Sequence, residues 1–256
     1  MQAGLEVPLD STIEMGPQNA DDRVLEVERH VPLSRIQRLI AQRMLASKRS
    51  KPCFYLARRA DVTDLMAMRH TLSKTLGVKV TSNAFFIHAL ALAAKQYPLM
   101  VGRYDADDPQ IGAVIRIAEN INVGFAVNSP QGLVAPVVKH AENKTLAEIA
   151  GQEKQLTERA RGNKLTLDDL EGQTIALSNL GAYDVDSFLG IVPPPASTIL
   201  TAGKVVPTPV PWNGHVVVRK MVSLSLAVDH RIVPGEYAAC FLQFLADQLE
   251  CPERLV

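Results

Sequence analysis

Val216-Val217-Val218-Arg219-Lys220-Met221-Val222-Ser223-Leu224-Ser225-Leu226-Ala227-Val228 runs directly into Asp229-His230-Arg231-Ile232-Val233-Pro234-Gly235. The first part alternates Val222, Leu224, Leu226 and Val228 with Ser223 and Ser225. That period of two predicts a long strand with one buried face and one more polar face. The second part leaves the strand and turns at Pro234-Gly235, and Phe241, Leu242, Phe244 and Leu245 then mark a closing helix. His230 therefore stands at a strand end, between an acid and a base. A group in that position is rigidly held yet exposed, as a general base must be.

Working outward, strands and helices mix along the chain. Ser34 caps a helix whose stripe is Ile36, Leu39, Ile40 and Met44, and Ser82 or Asn83 caps another that runs through Ala94 to Pro98. Ile121 to Val127 and Leu133 to Val138 read as strands split by the turn Ser129-Pro130-Gln131-Gly132. Thr145-Leu146-Ala147-Glu148 is a capping box opening a helix that closes near Gly162. Gln173 to Ser178 is a short strand entering Asn179-Leu180-Gly181, and Thr198 to Val205 is another. The class is α/β or α+β, with a mixed sheet flanked by helices.

Charge divides the chain. Its 27 basic and 27 acidic residues cancel, which argues against nucleic-acid or membrane partners. Residues 1–28 carry seven acids and one base, and read as a linker or arm; the remaining residues, 29–256, form the main domain. Residues 29–60 carry nine bases and no acid. Arg35, Arg38, Arg43, Lys48, Arg49 and Lys51 surround the first helix's stripe, either as a solvated face or as a site for acidic groups such as a phosphorylated cofactor. The longest apolar run, Ala84 to Ala94, is too short for a membrane span of about 20 residues. No secretory signal is visible, and Cys53, Cys240 and Cys251 form neither a disulfide framework nor a zinc pattern. A reducing, cytoplasmic setting is expected, or a mitochondrial matrix in a eukaryote.

Among the remaining histidines, His88 lies inside an apolar helix and reads as a satisfied core residue, while His30, His70, His140 and His215 occupy polar or turn-like contexts. Ser178, between a strand and a turn, is the second catalytic candidate, as a donor to a developing oxyanion; a hydroxyl capping its own turn is the other reading. No Gly-x-Ser-x-Gly elbow, dinucleotide fingerprint, P-loop or His-Glu-x-x-His occurs.

The segment Asp229-His230-Arg231-Ile232-Val233-Pro234-Gly235 resembles the Asp-His-Arg-x-x-Asp-Gly signature of the 2-oxoacid dehydrogenase acyltransferases, the E2 components. Pro32 to Arg35 and Ile40 to Met44 resemble the opening helix of that family's catalytic domain. Asn122 to Val127 with Gly132 to Val137 resembles its hairpin, and Ser178-Asn179-Leu180-Gly181 resembles its Ser-Asn-Leu-Gly turn. The resemblance implies a chloramphenicol acetyltransferase-like fold, assembled as a homotrimer with active sites between subunits. It implies acyl transfer between coenzyme A and a dihydrolipoyl arm, with His230 as base facing Ser178 of a neighbour. It places Arg69, Lys74 and Asn179 at the coenzyme A site. It further implies a larger cubic or dodecahedral shell working with a lipoyl domain and with the E1 and E3 components. In that family an apolar terminus like Leu255-Val256 docks onto a neighbouring trimer.

Three departures stand out. Pro234 replaces the family aspartate, which leaves Arg231 or another base without that carboxylate. Cys53 stands where many relatives carry histidine. No Asp-Lys-Ala lipoylation motif occurs, so the lipoyl group is expected from a separate domain or chain. The alternative function is a non-catalytic homologue that serves as an assembly scaffold.

Overall fold

The computed structural model describes residues 30–256, and residues Ser34–Val256 form one compact unit. The expected arm at 1–28 lies outside the described residues. Helix α1, Arg35–Ser50, opens on a capping box in which the Gln37 N–H donates to Ser34 Oγ and the Ser34 N–H donates to Gln37 Oε1. Strand β1 is Cys53–Asp61, and helices α2 and α3 are Thr63–Thr75 and Ser82–Gln96. Strands β2, Gly102–Asp108, and β3, Gly112–Ile117, form a separate hairpin. There follow β4 (Val123–Phe125), β5 (Val127–Ser129), β6 (Gly132–Val134), β7 (Val137–Val138) and helix α4 (Leu146–Arg161). Strands β8, Ile175–Asn179, β9, Thr198–Trp212, and β10, His215–Asp229, precede helix α5, Gly235–Glu250.

The main sheet runs β1-β10-β9-β8-β4-β7. The β9–β8 and β8–β4 pairs are parallel and the other three antiparallel, so the sheet is mixed, as the sequence predicts. Val222, Leu224, Leu226 and Val228 are fully buried on the face covered by the helices. The more polar face is covered too: Ser225 and Ala227 are buried, and Gly190 lies so close that a Cβ there would meet Ile199 at 2.9 Å. On that face Val192 packs with Ala176, Ile199 and Ala227, and Phe188 O accepts from Thr201 Oγ1 at 2.7 Å. α3 is buried almost all round, from Ala84 to Ala91, which is the pattern of a central helix.

Four local expectations are revised. The two strands of the predicted central hairpin each break in two, at Ala126 and at Ala135-Pro136, because Ala126 N–H turns to Leu177 O and Pro136 has no donor. β9 runs seven residues past the predicted end at Val205, through Pro207, Pro209 and Pro211. Their spacing of two puts all three on the edge turned away from β10, where no donor is needed. α3 is capped by Thr81, whose Oγ1 accepts from Ala84 N–H, and not by Ser82 or Asn83. His88 is buried, yet its Nδ1 has no partner, so it is a core residue without the expected satisfaction.

The C-terminus also differs from an open docking arm. After Pro252 a single 3-10 turn folds Leu255 into the core beside α2, α3 and α5, leaving it 1% exposed while Val256 is 65% exposed. Replacing a buried leucine by alanine costs about 2–5 kcal/mol. Leu255→Ala is therefore expected to lower Tm by several degrees, and Val256→Ala to leave folding stability within about 0.5 kcal/mol. Equal melting curves for both variants would show that the terminus is not part of the core.

Candidate active site

β8 ends in Ser178-Asn179, and the chain then turns through Leu180-Gly181. Asn179 builds that turn: its Oδ1 accepts from Gly181 N–H at 2.8 Å, while Leu180 N–H donates to Ala202 O at 3.0 Å. Space around it is tight, since a Cβ on Gly203 would come within 1.9 Å of Asp186 O. The Asn179 amide donates in turn to Asn83 Oδ1 at 2.8 Å, tying the turn to the first turn of α3. Ser178 is half-buried at the head of a cleft of about 760 Å³.

That cleft is walled by α2, α3, α4 and the turn after β8. Arg69 lines it, whereas Lys74 does not. Five residues along a helix is about 140° of rotation, so Lys74 leaves the face that Arg69 occupies. Arg161, at the end of α4, supplies a second guanidinium to the lining, which the sequence reading did not single out. Glu153 was also missed. Its signal was present: it interrupts the buried stripe Leu146, Ile149, Ala150, Leu156 and Ala160 with a carboxylic acid. It is 6% exposed and accepts hydrogen bonds from Thr81 Oγ1 at 3.1 Å and Thr157 Oγ1 at 3.5 Å.

His230 is elsewhere. It is exposed in the turn after β10, its N–H donating to Pro52 O at 3.0 Å and its ring meeting Phe54 edge-on at 5.0 Å. Ser178 is in register with Thr201 of β9, and Thr201 with Ser225 of β10. Two strand spacings across and five residues along separate Ser178 from His230, roughly 19 Å. One chain therefore does not bring the pair together.

Next to His230, the buried Asp229 carboxylate receives Arg231 through Nε at 3.0 Å and a terminal nitrogen at 2.6 Å. The Arg231 guanidinium stacks 4.5 Å from the Tyr104 ring centroid. Arg231 is thus paired despite Pro234, contrary to the expectation from the missing aspartate, because the acid two residues before it reaches back across the turn. Pro234 is the N-cap of α5 in extended conformation, with φ −65° and ψ 153°, and makes no side-chain cap. Burial pushes the Lys51 amine down, with Asp229 acting against it, and its Nζ donates to Ala196 O. Burial also pushes the Cys53 thiol up, with Asp229 adding to the effect.

A mixed sheet with an exposed histidine at one end and a serine-headed turn in a cleft at the other defines an α/β protein whose two candidate groups come from different places on the chain. Residues 26–256 match the family model of the 2-oxoacid dehydrogenases acyltransferase (catalytic domain), and the chain belongs to that family. The dihydrolipoyllysine-residue succinyltransferase component of the 2-oxoglutarate dehydrogenase complex of Haemophilus influenzae is 33% identical over 233 residues, 90% of this chain and 56% of that protein. The chain thus spans just over half the length of that relative. Two solved structures are similar over 92% of this chain and 96% of theirs, each with 30% identity and a TM-score of 0.83. One is the cubic core of a pyruvate dehydrogenase multienzyme complex. The other is the Azotobacter vinelandii dihydrolipoamide acetyltransferase, in which a serine, a histidine and an asparagine were investigated for their role in the catalytic mechanism.

Burial pushes the Glu153 carboxyl above its ordinary value, while the Thr81 and Thr157 hydroxyls and the more distant Arg161 and Lys79 charges act the other way. A raised folded value means the folded chain holds the proton where the unfolded chain, near pH 4.3, has released it. The stability contributed by protonated Glu153 is present below about pH 4 and is lost as pH rises through the raised value. Glu153→Gln does not titrate there. The stability of the Gln variant relative to wild type, from urea melts, is expected to climb as pH rises above about 4 and to be flat below it. A pH-independent difference would place Glu153 in water.

Proposed function

We propose that the chain is an acyltransferase that moves an acyl group between coenzyme A and a dihydrolipoyl thiol, with His230 and Ser178 supplied by different copies. The observation that carries this reading is the separation of the two groups in one chain, each at an accessible sheet end, within a member of an acyltransferase family. In the Azotobacter protein the investigated histidine follows the serine at the same interval as His230 follows Ser178, and its asparagine falls at the place of Pro234.

A thiol is mostly protonated at pH 7, so attack on a thioester needs a base. His230 takes that proton as the thiol sulfur attacks the carbonyl carbon, worth about 10²- to 10⁴-fold. Ser178 Oγ donates to the oxygen of the tetrahedral intermediate, worth about 3 kcal/mol. His230 then returns the proton to the departing thiolate, and no acyl-enzyme forms. Asn179 orders the serine's turn, and Arg69 with Arg161 faces the phosphates of coenzyme A; Lys74, off the cleft wall, is dropped from that role. The lipoyl group comes from a separate domain or chain. Three copies complete three sites, and trimers build a shell that works with E1 and E3 components in the cytoplasm. The scaffold reading rests on Pro234, and Asp229 weakens it by pairing Arg231.

A shared site makes a complementation test decisive. Assayed with acetyl-CoA and dihydrolipoamide, His230→Ala and Ser178→Ala chains should each lose at least about a hundredfold in kcat. Co-refolded in equal amounts, they should regain about a quarter of wild-type activity, because random mixing leaves that share of interfaces intact. A mixture as inactive as its parts would remove this pair from the mechanism. Pro234→Asp is expected to leave kcat within about threefold, because Arg231 already has a bidentate partner. A large gain would instead show that the missing carboxylate limits the enzyme.

A further inference from the structure

Glu153 takes no part in the chemistry above, yet it occupies a core position on α4 where every neighbour in the stripe is apolar. Burying a carboxyl is costly unless its hydrogen bonds do something in return. Its main partner is Thr81, which is not an ordinary residue of the wall but the N-cap of α3. A threonine hydroxyl has one proton and two lone pairs. By donating to Glu153 while accepting from Ala84 N–H at 3.0 Å, the Thr81 hydroxyl is locked in one rotation. Glu153 thereby anchors the first turn of α3 against α4.

That first turn carries Asn83, and Asn83 Oδ1 holds the Asn179 amide at 2.8 Å. The other end of the Asn179 side chain holds Gly181 N–H. Close contacts at Gly181 and Gly203 block sideways movement of the turn, since a Cβ on Gly181 would already lie 2.8 Å from Gly203 O. The Asn179 amide is then oriented from both ends, by Gly181 N–H on its oxygen and by Asn83 Oδ1 on its nitrogen, and the Asn83 end is the one that Glu153 anchors. We propose that Glu153 is a positioning residue for acyl transfer: through Thr81, Asn83 and Asn179 it holds the Ser178 hydroxyl where the oxyanion forms. An apolar residue at 153 would fill the same space but leave the Thr81 hydroxyl without its acceptor, so that Asn83 holds the Asn179 amide, and Ser178 beside it, less tightly within the limits the glycine contacts set. Displacements of about 1 Å in such a donor cost up to about 10²-fold in rate.

This inference rests on Ser178 being the oxyanion donor, and the test separates the two. Glu153→Leu and Ser178→Ala are made singly and together in the full chain, and kcat and KM are measured with acetyl-CoA and dihydrolipoamide. Glu153→Leu should lower kcat about tenfold, with KM for acetyl-CoA within about twofold. In the Ser178→Ala background the same change should cost less than about twofold, because no hydroxyl is left to position. Glu153→Gln, which keeps an acceptor for Thr81, should recover most of kcat. Asn83→Ala should reproduce the Glu153→Leu pattern and carries the test alone if the leucine variant fails to assemble. Equal losses in both backgrounds, or full activity in Glu153→Leu, overturn the proposal. A Ser178→Ala chain with undiminished kcat overturns the serine's role, and the positioning of it falls as well.

Discussion

The pairing of β10 between β1 and β9, with β8 parallel on the far side of β9, sets the distances on which everything else in this molecule depends. It fixes Ser178 and His230 at places in the sheet that no side-chain rotation can bridge. β10 is buried on both faces from Leu224 to Asp229 and carries the alternation of Val222 to Val228, so a slip of register would turn that whole set out of the core. A rigid sheet that keeps two reactive groups apart is productive only if a second copy supplies the missing half. On this reading, assembly is a requirement of the chemistry.

Around His230 the chain spends polar groups on rigidity. Asp229 is buried and would be costly alone, but the Arg231 fork neutralises it and the Tyr104 face covers the guanidinium. The ion pair is built between residues two apart, so it needs little from the surrounding fold once Pro234 has stopped the turn. Lys51, held by Ala196 O near the same carboxylate, adds a second positive charge at the foot of the histidine's turn. The imidazole itself is left exposed, its ring edge-on to Phe54.

The cleft below Ser178 uses polarity differently. Its inner wall contains a carboxylic acid, two threonine hydroxyls and two side-chain amides joined by hydrogen bonds, while Arg69 and Arg161 are exposed in its lining. Inside, where the dielectric is low, each hydrogen bond constrains geometry strongly. The exposed guanidiniums are the groups suited to meeting a charged ligand. On the proposed reading, a recognition surface and a positioning network share this one cavity.

Much of this was legible in the linear order of residues. The capping boxes at Ser34 and Thr145, the buried alternation of β10, the Asn179-Leu180-Gly181 turn and the strand-end position of His230 all follow from local chemistry, because each depends on neighbours within a few residues. The motifs at 178–181 and 229–235 pointed to the family for the same reason. Tertiary structure alone decided the rest. That Lys74 leaves the cleft and Arg161 enters it depends on how α2 and α4 are rotated against the sheet. Leu255 is core because a 3-10 turn folds it under α2 and α3. Glu153 interrupts an apolar stripe, and the partner that accounts for it, Thr81, lies 72 positions earlier. Local pattern specifies what a residue can do, but only the packing of distant segments specifies which partner it finds.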